Sequence, residues 1–303
     1  MSLPEGYRAR PASEDDLEQM AAVANAYDLA DFGHADTEVE HLRDSWHERG
    51  FDAERDTWLV LDPDGTVAAF GLVEPTPGPI LESFGRVRPE HRARGLGTFL
   101  VASMEARAAE RPGVERLHNG ITATDAAARA ILEGRGYELV RYFWHMERDL
   151  GVAETLAVPA GFQIRPAEEA DERAAWSAIA EAFIDHWSWE SEPFEDWIAF
   201  LRSAGERVLV AVEGSEVAGA VTFRAMTGVG WVGELGVRRP WRGRGLGESL
   251  LRHAFAALAE LGVGAARLNV DADNKTGATR LYERAGMHVR REWLVYEKRL
   301  EAG

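Results

Sequence analysis

Short runs of alternating hydrophobic and polar positions occur along the chain, and longer runs with helical spacing separate them. The alternation predicts strands at "TWLVLD", "TVAAFGLVE", "ILESFGRV", "RVLVAVE", "EVAGAVTFRAM" and "GWVGELGV". Helices are predicted to begin near Ser13 and Glu168 and to cover Leu246–Leu261 and "NKTGATRLYERAG", before a last strand at "REWLVYEKRL". The fold class is therefore α/β (α+β), with a mixed, mostly antiparallel sheet flanked by helices in each half of the chain.

The two halves repeat each other at a spacing of about 150 residues. The stretch "GRVRPEHRARGLG" aligns with "LGVRRPWRGRGLG", so that Gly95 falls on Gly245, and nearer the N-terminus "GYRARPASEDD" aligns with "GFQIRPAEEAD". A period this long is typical of two similar domains rather than of a solenoid. We therefore expect domains at residues 1–150 and 161–303, joined by a linker at residues 151–160.

Composition and charge narrow the class of protein. The chain has 303 residues, of which 46% are hydrophobic, which is enough for two domains with a core each. Cysteine is absent, which excludes disulfides, thiolate ligands and a cysteine nucleophile. A net charge of -17 disfavours nucleic acid and anionic lipid and favours a cationic ligand. Without a long apolar run or a signal-like N-terminus, we expect a cytoplasmic monomer or homodimer.

A loop rich in glycine and arginine precedes an apolar helix in each half, as "EHRARGLGTFL" and "PWRGRGLGESL". Backbone N–H groups at a helix N-terminus are unpaired, and glycine lets an anion approach them closely, so both loops predict an anion site. A P-loop is excluded because no Gly-Lys-Ser/Thr follows, and a dinucleotide loop is excluded because Glu248 stands where its third glycine is needed. What remains is Arg-x-x-Gly-x-Gly.

That motif, after a strand ending in Gly-Val and before an apolar helix, resembles the GNAT superfamily of acetyl-CoA-dependent N-acetyltransferases. The order of the elements agrees over nearly the whole chain, once per half, which implies two tandem GNAT-type domains. The resemblance implies acetyl-CoA as co-substrate, its pyrophosphate held by the loop and its pantetheine arm by the preceding strand. The implied CoA-binding residues are Leu235, Gly236, Val237, Arg242, Gly243, Arg244, Gly245, Leu246, Gly247, Glu248, Asn274 and Ala278. Asn274 is expected to open its helix as the N-cap or close to it.

The same resemblance places a catalytic acid at Tyr282, whose phenol would protonate the departing thiolate; a core aromatic is the alternative. In the first half Leu132 and Thr124 stand in place of Tyr282 and Asn274. We therefore expect the first half to be non-catalytic. The first half keeps the loop motif, so a second CoA site there is an alternative. Its residues would be Val87, Arg92, Arg94, Gly95, Gly97 and Thr98.

A catalytic base is predicted at Glu234, an acid within the otherwise apolar strand "GWVGELGV". Its counterpart Phe84 is not ionisable, which again separates the halves. The acceptor pocket is expected at "EAFIDHWSWESEPFEDW", where aromatic and acidic side chains suit a cationic amine. Its candidate substrate residues are Asp185, His186, Trp187 and Trp189. No spacing of histidines or carboxylates suggests a metal site.

These features predict an N-acetyltransferase that acts on a primary amine of a small molecule by direct transfer in the second half. The tandem layout also resembles the mycothiol synthase group of the superfamily, which acetylates the cysteinyl amine of a pseudodisaccharide. Acetylation of protein N-termini or lysines is a further alternative. An acyl-CoA sensor or scaffold without turnover is an alternative of another class.

Overall fold

The computed structural model describes residues 3–35, 37, 39, 42–43, 46, 50–76, 78–151, 156–184, 192–226, 228–274 and 277–300. The chain forms two compact units. Unit 1 comprises residues 1–142 and 293–303, and unit 2 comprises residues 143–292. This division differs from the predicted boundaries near residues 150 and 161 because the last strand of each repeat contributes most of its residues to the other unit.

Unit 1 contains one mixed sheet with helices packed on it. Its elements are β1 (Arg8–Arg10), α1 (Leu17–Phe32), α2 (Ala53–Asp56), β2 (Thr57–Leu61), β3 (Val67–Pro75), β4 (Ile80–Val87), α3 (Leu96–Glu110), β5 (Arg116–Thr122), α4 (Ala126–Gly134) and the first part of β6 (Glu138–Asp149). The strand order is β1-β2-β3-β4-β5, and the β4–β5 pair is parallel while the other pairs are antiparallel. The predicted mixed, mostly antiparallel sheet is confirmed.

Unit 2 repeats this arrangement. Its elements are β7 (Gln163–Pro166), α5 (Glu172–Phe183), α6 (Phe194–Ser203), β8 (Arg207–Glu213), β9 (Glu216–Ala225), β10 (Gly230–Val237), α7 (Leu246–Glu260), β11 (Ala265–Asp271), α8 (Ala278–Arg284) and the first part of β12 (His288–Arg299). The strand order is β7-β8-β9-β10-β11, with β10 and β11 parallel.

The edge of each sheet is completed by a strand from the other repeat. In unit 1 the antiparallel partner of β5 is the second part of β12, with Trp293 opposite Thr122 and Arg299 opposite Arg116. In unit 2 the antiparallel partner of β11 is the second part of β6, from Phe143 to Asp149. The two repeats therefore exchange the strands that follow β5 and β11 in the chain.

Apolar helix faces close the core of unit 2 on both sides of its sheet. On one side α7 buries Leu250, Leu251, Phe255 and Leu258 against strands β8 to β11. Burying each such side chain stabilises the fold by about 1.5–3 kcal/mol. On the other side α5 and α6 bury Ile179, Trp197 and Leu201. The sheet is thereby held rigidly at the strand β10, where the candidate site lies.

Two predicted helix starts are confirmed within a few residues. Short 3₁₀ turns at Glu14–Asp16 and Glu169–Asp171 follow Ser13 and Glu168 and lead directly into α1 and α5. Within the described ranges, no helix has both the length and the apolar character needed to cross a membrane.

Candidate active site

The strand β10 is irregular at the centre of unit 2. Its pairing with β9 shifts register between Val232 and Leu235, which is a β-bulge. Its parallel pairing with β11 covers Gly230 and Trp231 and then stops. After Trp231, β10 is therefore not paired with β11. The backbone N–H and C=O groups on that edge of β10 are available to an extended ligand.

A cleft opens beside this part of β10 and continues to the glycine loop. Its described lining residues are Ala182, Leu235, Val237, Trp241, Arg242, Gly243, Gly245, Leu246, Gly247, Glu248, Gly277, Ala278, Leu281, Tyr282 and Arg284. The structure therefore brings most of the implied CoA-binding residues into one cleft, together with the proposed acid. Gly236, Arg244 and Asn274 are not among its lining residues.

The loop has the geometry of an anion site. Gly243 and Gly245 adopt left-handed backbone conformations with φ of 75° and 81°, and α7 begins directly after Gly245. A Cβ atom at Gly247 would lie 2.9 Å from Leu281 Cδ1, so glycine is needed for the close packing of α8 against α7. The first backbone N–H groups of α7, which have no partner within the helix, therefore lie at the cleft.

The two arginines of the loop have different roles. Arg242 lies on the cleft wall, where its Nε donates a hydrogen bond to the carbonyl oxygen of Val237 at 2.9 Å. Arg244 turns instead to Glu213, at 3.3 Å, and lies over the ring of Phe162. Arg242 is therefore the loop arginine that faces the cleft.

Glu248 is an acidic group in an otherwise anion-attracting cleft. It pairs with Arg252 at 3.0 Å and with Arg284 at 3.4 Å, so its charge is compensated. Arg284 lines the cleft and was not identified from the sequence.

Tyr282 lies on α8 and lines the cleft, where it packs against the apolar core of unit 2. Burial raises the pKa of Tyr282 to about 12. Among the residues that the structure describes, its hydroxyl has no hydrogen-bond partner. The phenol is therefore protonated at neutral pH, and its proton is available to a group in the cleft.

Glu234 lies in the bulge of β10. Its backbone N–H donates to Thr222 Oγ1 at 2.9 Å, and Trp197 Nε1 donates to its Oε2 at 2.8 Å. Burial raises the pKa of Glu234, the Trp197 hydrogen bond lowers it, and the negative charges of Glu206 and Glu192 raise it further. The net shift is upward, so this carboxylate is a stronger base than an exposed glutamate.

A second carboxylate next to the bulge was not identified from the sequence. The side chain of Glu206 is 5% exposed and lies 3.9 Å from Arg224 Nε. Its pKa is raised by burial, although a hydrogen bond from Thr222 and the charge of Arg224 oppose the shift. A Cβ at Gly233 would lie 2.6 Å from Thr222 Oγ1, so the glycine before Glu234 is the local signal for this crowding.

The remaining predictions for the second half concern the acceptor pocket and Asn274. Asp185, His186, Trp187 and Trp189 are outside the described residues. The prediction that Asn274 caps its helix is wrong, because α8 begins at Ala278 and its N-cap is Gly277, with φ of 82°. The backbone N–H of Asn274 donates to the carbonyl oxygen of Asp271, in the turn that follows β11.

The first half retains the loop but not the bulge. Ala93 and Gly95 have φ of 59° and 85°, close to the values at Gly243 and Gly245 in unit 2. In contrast, β4 pairs with β3 without a register shift from Leu81 to Val87. Its parallel pairing with β5 continues to Ser83, two positions further than the corresponding pairing in unit 2.

A cleft in unit 1 is lined by Val87, Arg92 and Gly97 of the residues considered for a second CoA site. Arg92 makes two hydrogen bonds to Asp31, at 2.9 and 3.1 Å. Arg94, Gly95 and Thr98 are not among its described lining residues, and Arg94 donates to Tyr7 Oη at 3.2 Å. Phe84 and the buried Leu132 occupy the positions of Glu234 and Tyr282.

Comparisons with known proteins agree with the duplication of the chain. A family model described as Acetyltransferase (GNAT) family matches residues 20–137 and again residues 172–287. The mycothiol acetyltransferase of Kineococcus radiotolerans is 33% identical over 240 residues, which cover 75% of this chain and 77% of that protein. The mycothiol acetyltransferase of Streptomyces avermitilis is 29% identical over 265 residues, 82% of each chain.

Solved structures with the same architecture include the GCN5-related N-acetyltransferase from Sphaerobacter thermophilus. It has a TM-score of 0.86 and 32% identity and covers 100% of this chain and 98% of its own. A tandem GNAT protein from the clavulanic acid biosynthesis pathway has a TM-score of 0.77 at 17% identity, covering 98% of this chain and 99% of its own. These matches confirm the tandem architecture that the repeat and the two loops predict.

Proposed function

The chain belongs to the GNAT acetyltransferase family and is an acyltransferase, and from this premise we propose that unit 2 transfers an acetyl group from acetyl-CoA to a primary amine of a small molecule. One observation carries the proposal. Glu234 lies in the bulge of β10 and is adjacent in the chain to Leu235, which lines the cleft together with Tyr282, whereas the corresponding positions of unit 1 hold Phe84 and Leu132. Unit 2 alone thus has a proton acceptor and a proton donor at these two positions.

The residues of the unit 2 cleft suit acetyl-CoA. The N-terminus of α7 and Arg242 attract the pyrophosphate, and the pairing of Glu248 with Arg252 and Arg284 removes an opposing charge. The free edge of β10 from Leu235 onward offers backbone groups to the amides of the pantetheine arm. The thioester then lies at the end of the cleft where Tyr282 and the bulge are found.

The chemistry follows from the two proton-transfer groups. The amine nitrogen attacks the thioester carbonyl carbon, and Glu234 accepts the proton that the nitrogen loses, directly or through a water. The carbon–sulfur bond breaks, and Tyr282 donates its proton to the departing sulfur. The products are an N-acetyl amide and CoA, and proton exchange with solvent returns both side chains to their starting states.

The carboxylates beside the bulge favour an acceptor that arrives as a cation. The negative charge of Glu206 contributes to the raised pKa of Glu234, and Trp197 Nε1 donates a hydrogen bond to Glu234. An ammonium group is attracted to such a pair before it loses its proton. A second, finer candidate acceptor is the cysteinyl amine of a mycothiol precursor, which is favoured by the names of the curated relatives.

We also propose that the loop of unit 1 binds a CoA thioester without transferring its acyl group. The retained backbone conformation at Ala93 and Gly95 supports this, because a left-handed alanine is unfavourable by about 1–2 kcal/mol without a compensating interaction. Phe84 and Leu132 offer no proton transfer there.

The test is the release of CoA from acetyl-CoA across a panel of amines, which includes polyamines, aminoglycosides, amino acids, a cysteinyl sugar and short peptides. Tyr282→Phe is run beside the native protein, with Tyr142→Phe as the matched control at an exposed position. Turnover with one class of amine, lost in Tyr282→Phe and kept in Tyr142→Phe, supports the proposal. Tight CoA binding without turnover, unaffected by Tyr282→Phe, would instead support a sensor or scaffold.

A further inference from the structure

The cleft of unit 1 extends deeper into its unit than the cleft of unit 2. It reaches Leu100, Met104 and Asn119, whose counterparts Leu250, Ala254 and Asn269 do not line the unit 2 cleft. All of these positions are among the described residues.

Two aligned positions differ between the clefts. Gly85 stands where unit 2 has Leu235, and Leu132 stands where unit 2 has Tyr282. In unit 2 the side chains of Leu235 and Tyr282 line the cleft. In unit 1 the glycine lets α3 approach β4 closely, because a Cβ at Gly85 would lie 3.3 Å from Leu100 Cδ1 and 3.3 Å from Met104 Cε, and these two side chains line the inner end of the cleft.

The inner end of the unit 1 cleft has apolar walls. The acyl pocket, as we name it, is bounded by Gly85, Leu100, Met104, Ile121, Ile131 and Leu132. Asn119 also reaches it, but its Nδ2 donates to Ser83 Oγ at 3.0 Å and lies 3.6 Å from Met104 Sδ.

A carboxylate at the rim of the pocket is likewise engaged by its neighbours. Asp125 accepts hydrogen bonds from Tyr27 Oη at 2.7 Å and from the backbone N–H of Ala128 at 2.8 Å. With its nearby polar groups bonded to one another, the pocket suits a hydrocarbon chain better than a polar ligand.

We propose that unit 1 binds a CoA thioester whose acyl group is a short aliphatic chain longer than acetyl, held in the acyl pocket as a ligand that does not react. This inference rests on the proposed CoA site of unit 1. It adds that the two units select different acyl groups, because Leu235 and Tyr282 line the cleft of unit 2 where Gly85 and Leu132 line the cleft of unit 1.

The experiment measures calorimetric affinities of the full chain for CoA, acetyl-CoA, butyryl-CoA and hexanoyl-CoA. Gly247→Asp places a carboxylate in the unit 2 loop, so that binding reports unit 1, and Gly97→Asp is the matched change in unit 1. In the Gly247→Asp protein we expect an affinity gain of about fourfold per added methylene, and so about 15-fold from acetyl-CoA to butyryl-CoA. In the Gly97→Asp protein the same series should show no gain.

Two further variants act on the pocket itself, in the Gly247→Asp background. Gly85→Leu and Leu132→Tyr each introduce the residue that unit 2 has at that position. Either should remove the gain with chain length while leaving the affinity for CoA within about threefold. Because the ligand series needs no change in the pocket, the proposal stays testable if one of these variants does not fold.

The outcomes separate the inference from the proposal on which it rests. Binding of CoA by Gly247→Asp with equal affinity for every chain length would overturn the acyl pocket and leave the CoA site of unit 1 standing. No binding of any thioester by Gly247→Asp would overturn both. Turnover in unit 2 is read separately by CoA release and depends on neither result.

Discussion

Replacement of Trp197 by phenylalanine tests whether Glu234 is the base, because this change removes one donor and keeps an aromatic ring. Trp197 is buried, and its Nε1 donates the 2.8 Å hydrogen bond to Glu234. That bond stabilises the ionised carboxylate and so lowers a pKa that burial has raised. Without it the pKa of Glu234 rises further, and the base is protonated over a wider range of acidic pH.

The size of the effect follows from the strength of the lost interaction. A hydrogen bond to a charged acceptor is worth about 1.5–3 kcal/mol. Since about 1.4 kcal/mol corresponds to a factor of ten, kcat/KM on the acidic side of the pH profile should fall by between about tenfold and about 100-fold. On the alkaline side, where the carboxylate is ionised in both proteins, the values should converge.

The assay is the pH dependence of kcat/KM for CoA release, with the best amine of the panel. Trp176→Phe is the matched control, because Trp176 also donates through Nε1, in its case to the carbonyl oxygen of Glu192 at 3.0 Å. A loss that is equal at every pH would show that Trp197 acts only through packing. An unchanged acidic limb would show that Glu234 is not the group that titrates.

Further predictions concern stability. The pKa of Glu234 is raised in the folded state, so the stability contributed by its protonated form is present in acid and is lost as pH rises through the folded pKa. Glu234→Gln should therefore unfold at a higher temperature than the native protein at pH 8 but not at pH 4. Its kcat/KM should nevertheless fall. For His118, burial lowers the pKa, but hydrogen bonds and charge from Glu82 and Glu297 outweigh burial and raise it. The stability that protonated His118 contributes is therefore full below its unfolded-state pKa and is lost as pH rises through its folded-state pKa. The unfolding temperature of His118→Gln should differ most from that of the native protein in acid. A difference that is the same at every pH would contradict the ion pairs with Glu82 and Glu297. Gly245→Ala and Gly262→Ala each put a side chain on a left-handed backbone, with φ of 81° and 83°. Both should lose about 1–2 kcal/mol of unfolding free energy in denaturant titrations, and only Gly245→Ala should weaken acetyl-CoA binding.

Local patterns were sufficient to predict most of the elements. The alternation at "GWVGELGV" and the apolar spacing after Gly245 correspond to β10 and α7, within one residue at each end of the helix. Both signals depend on residues close together in the chain, where strand and helix periodicity are expressed directly. The glycine-rich spacing of the loop, which contains the left-handed Gly243 and Gly245, is likewise a local pattern.

The surroundings of the candidate base could not be predicted in this way. The sequence placed Glu234 in an apolar strand, but Trp197 and Thr222, which hold it, lie 37 and 12 residues away along the chain. The bulge that surrounds it depends on the register of β10 against β9, which neither strand specifies alone. The start of α8 was predicted too early. The helix begins at Ala278, directly after Gly277, whose backbone is left-handed.

The duplication, the order of strands and helices along each repeat and the positions of the two glycine-arginine loops could be predicted from the chain, because each is expressed in short stretches of residues. Which strand completes each sheet became known only from the folded protein, since the final strands of the repeats are alike in pattern. In unit 1 the indole of Trp293 covers Gly120, where a Cβ would lie 2.5 Å from its Nε1. The strand with the smaller Phe143 at the corresponding position pairs instead with β11. That choice depends on packing between residues at least 116 positions apart, and no local pattern in the chain expresses it.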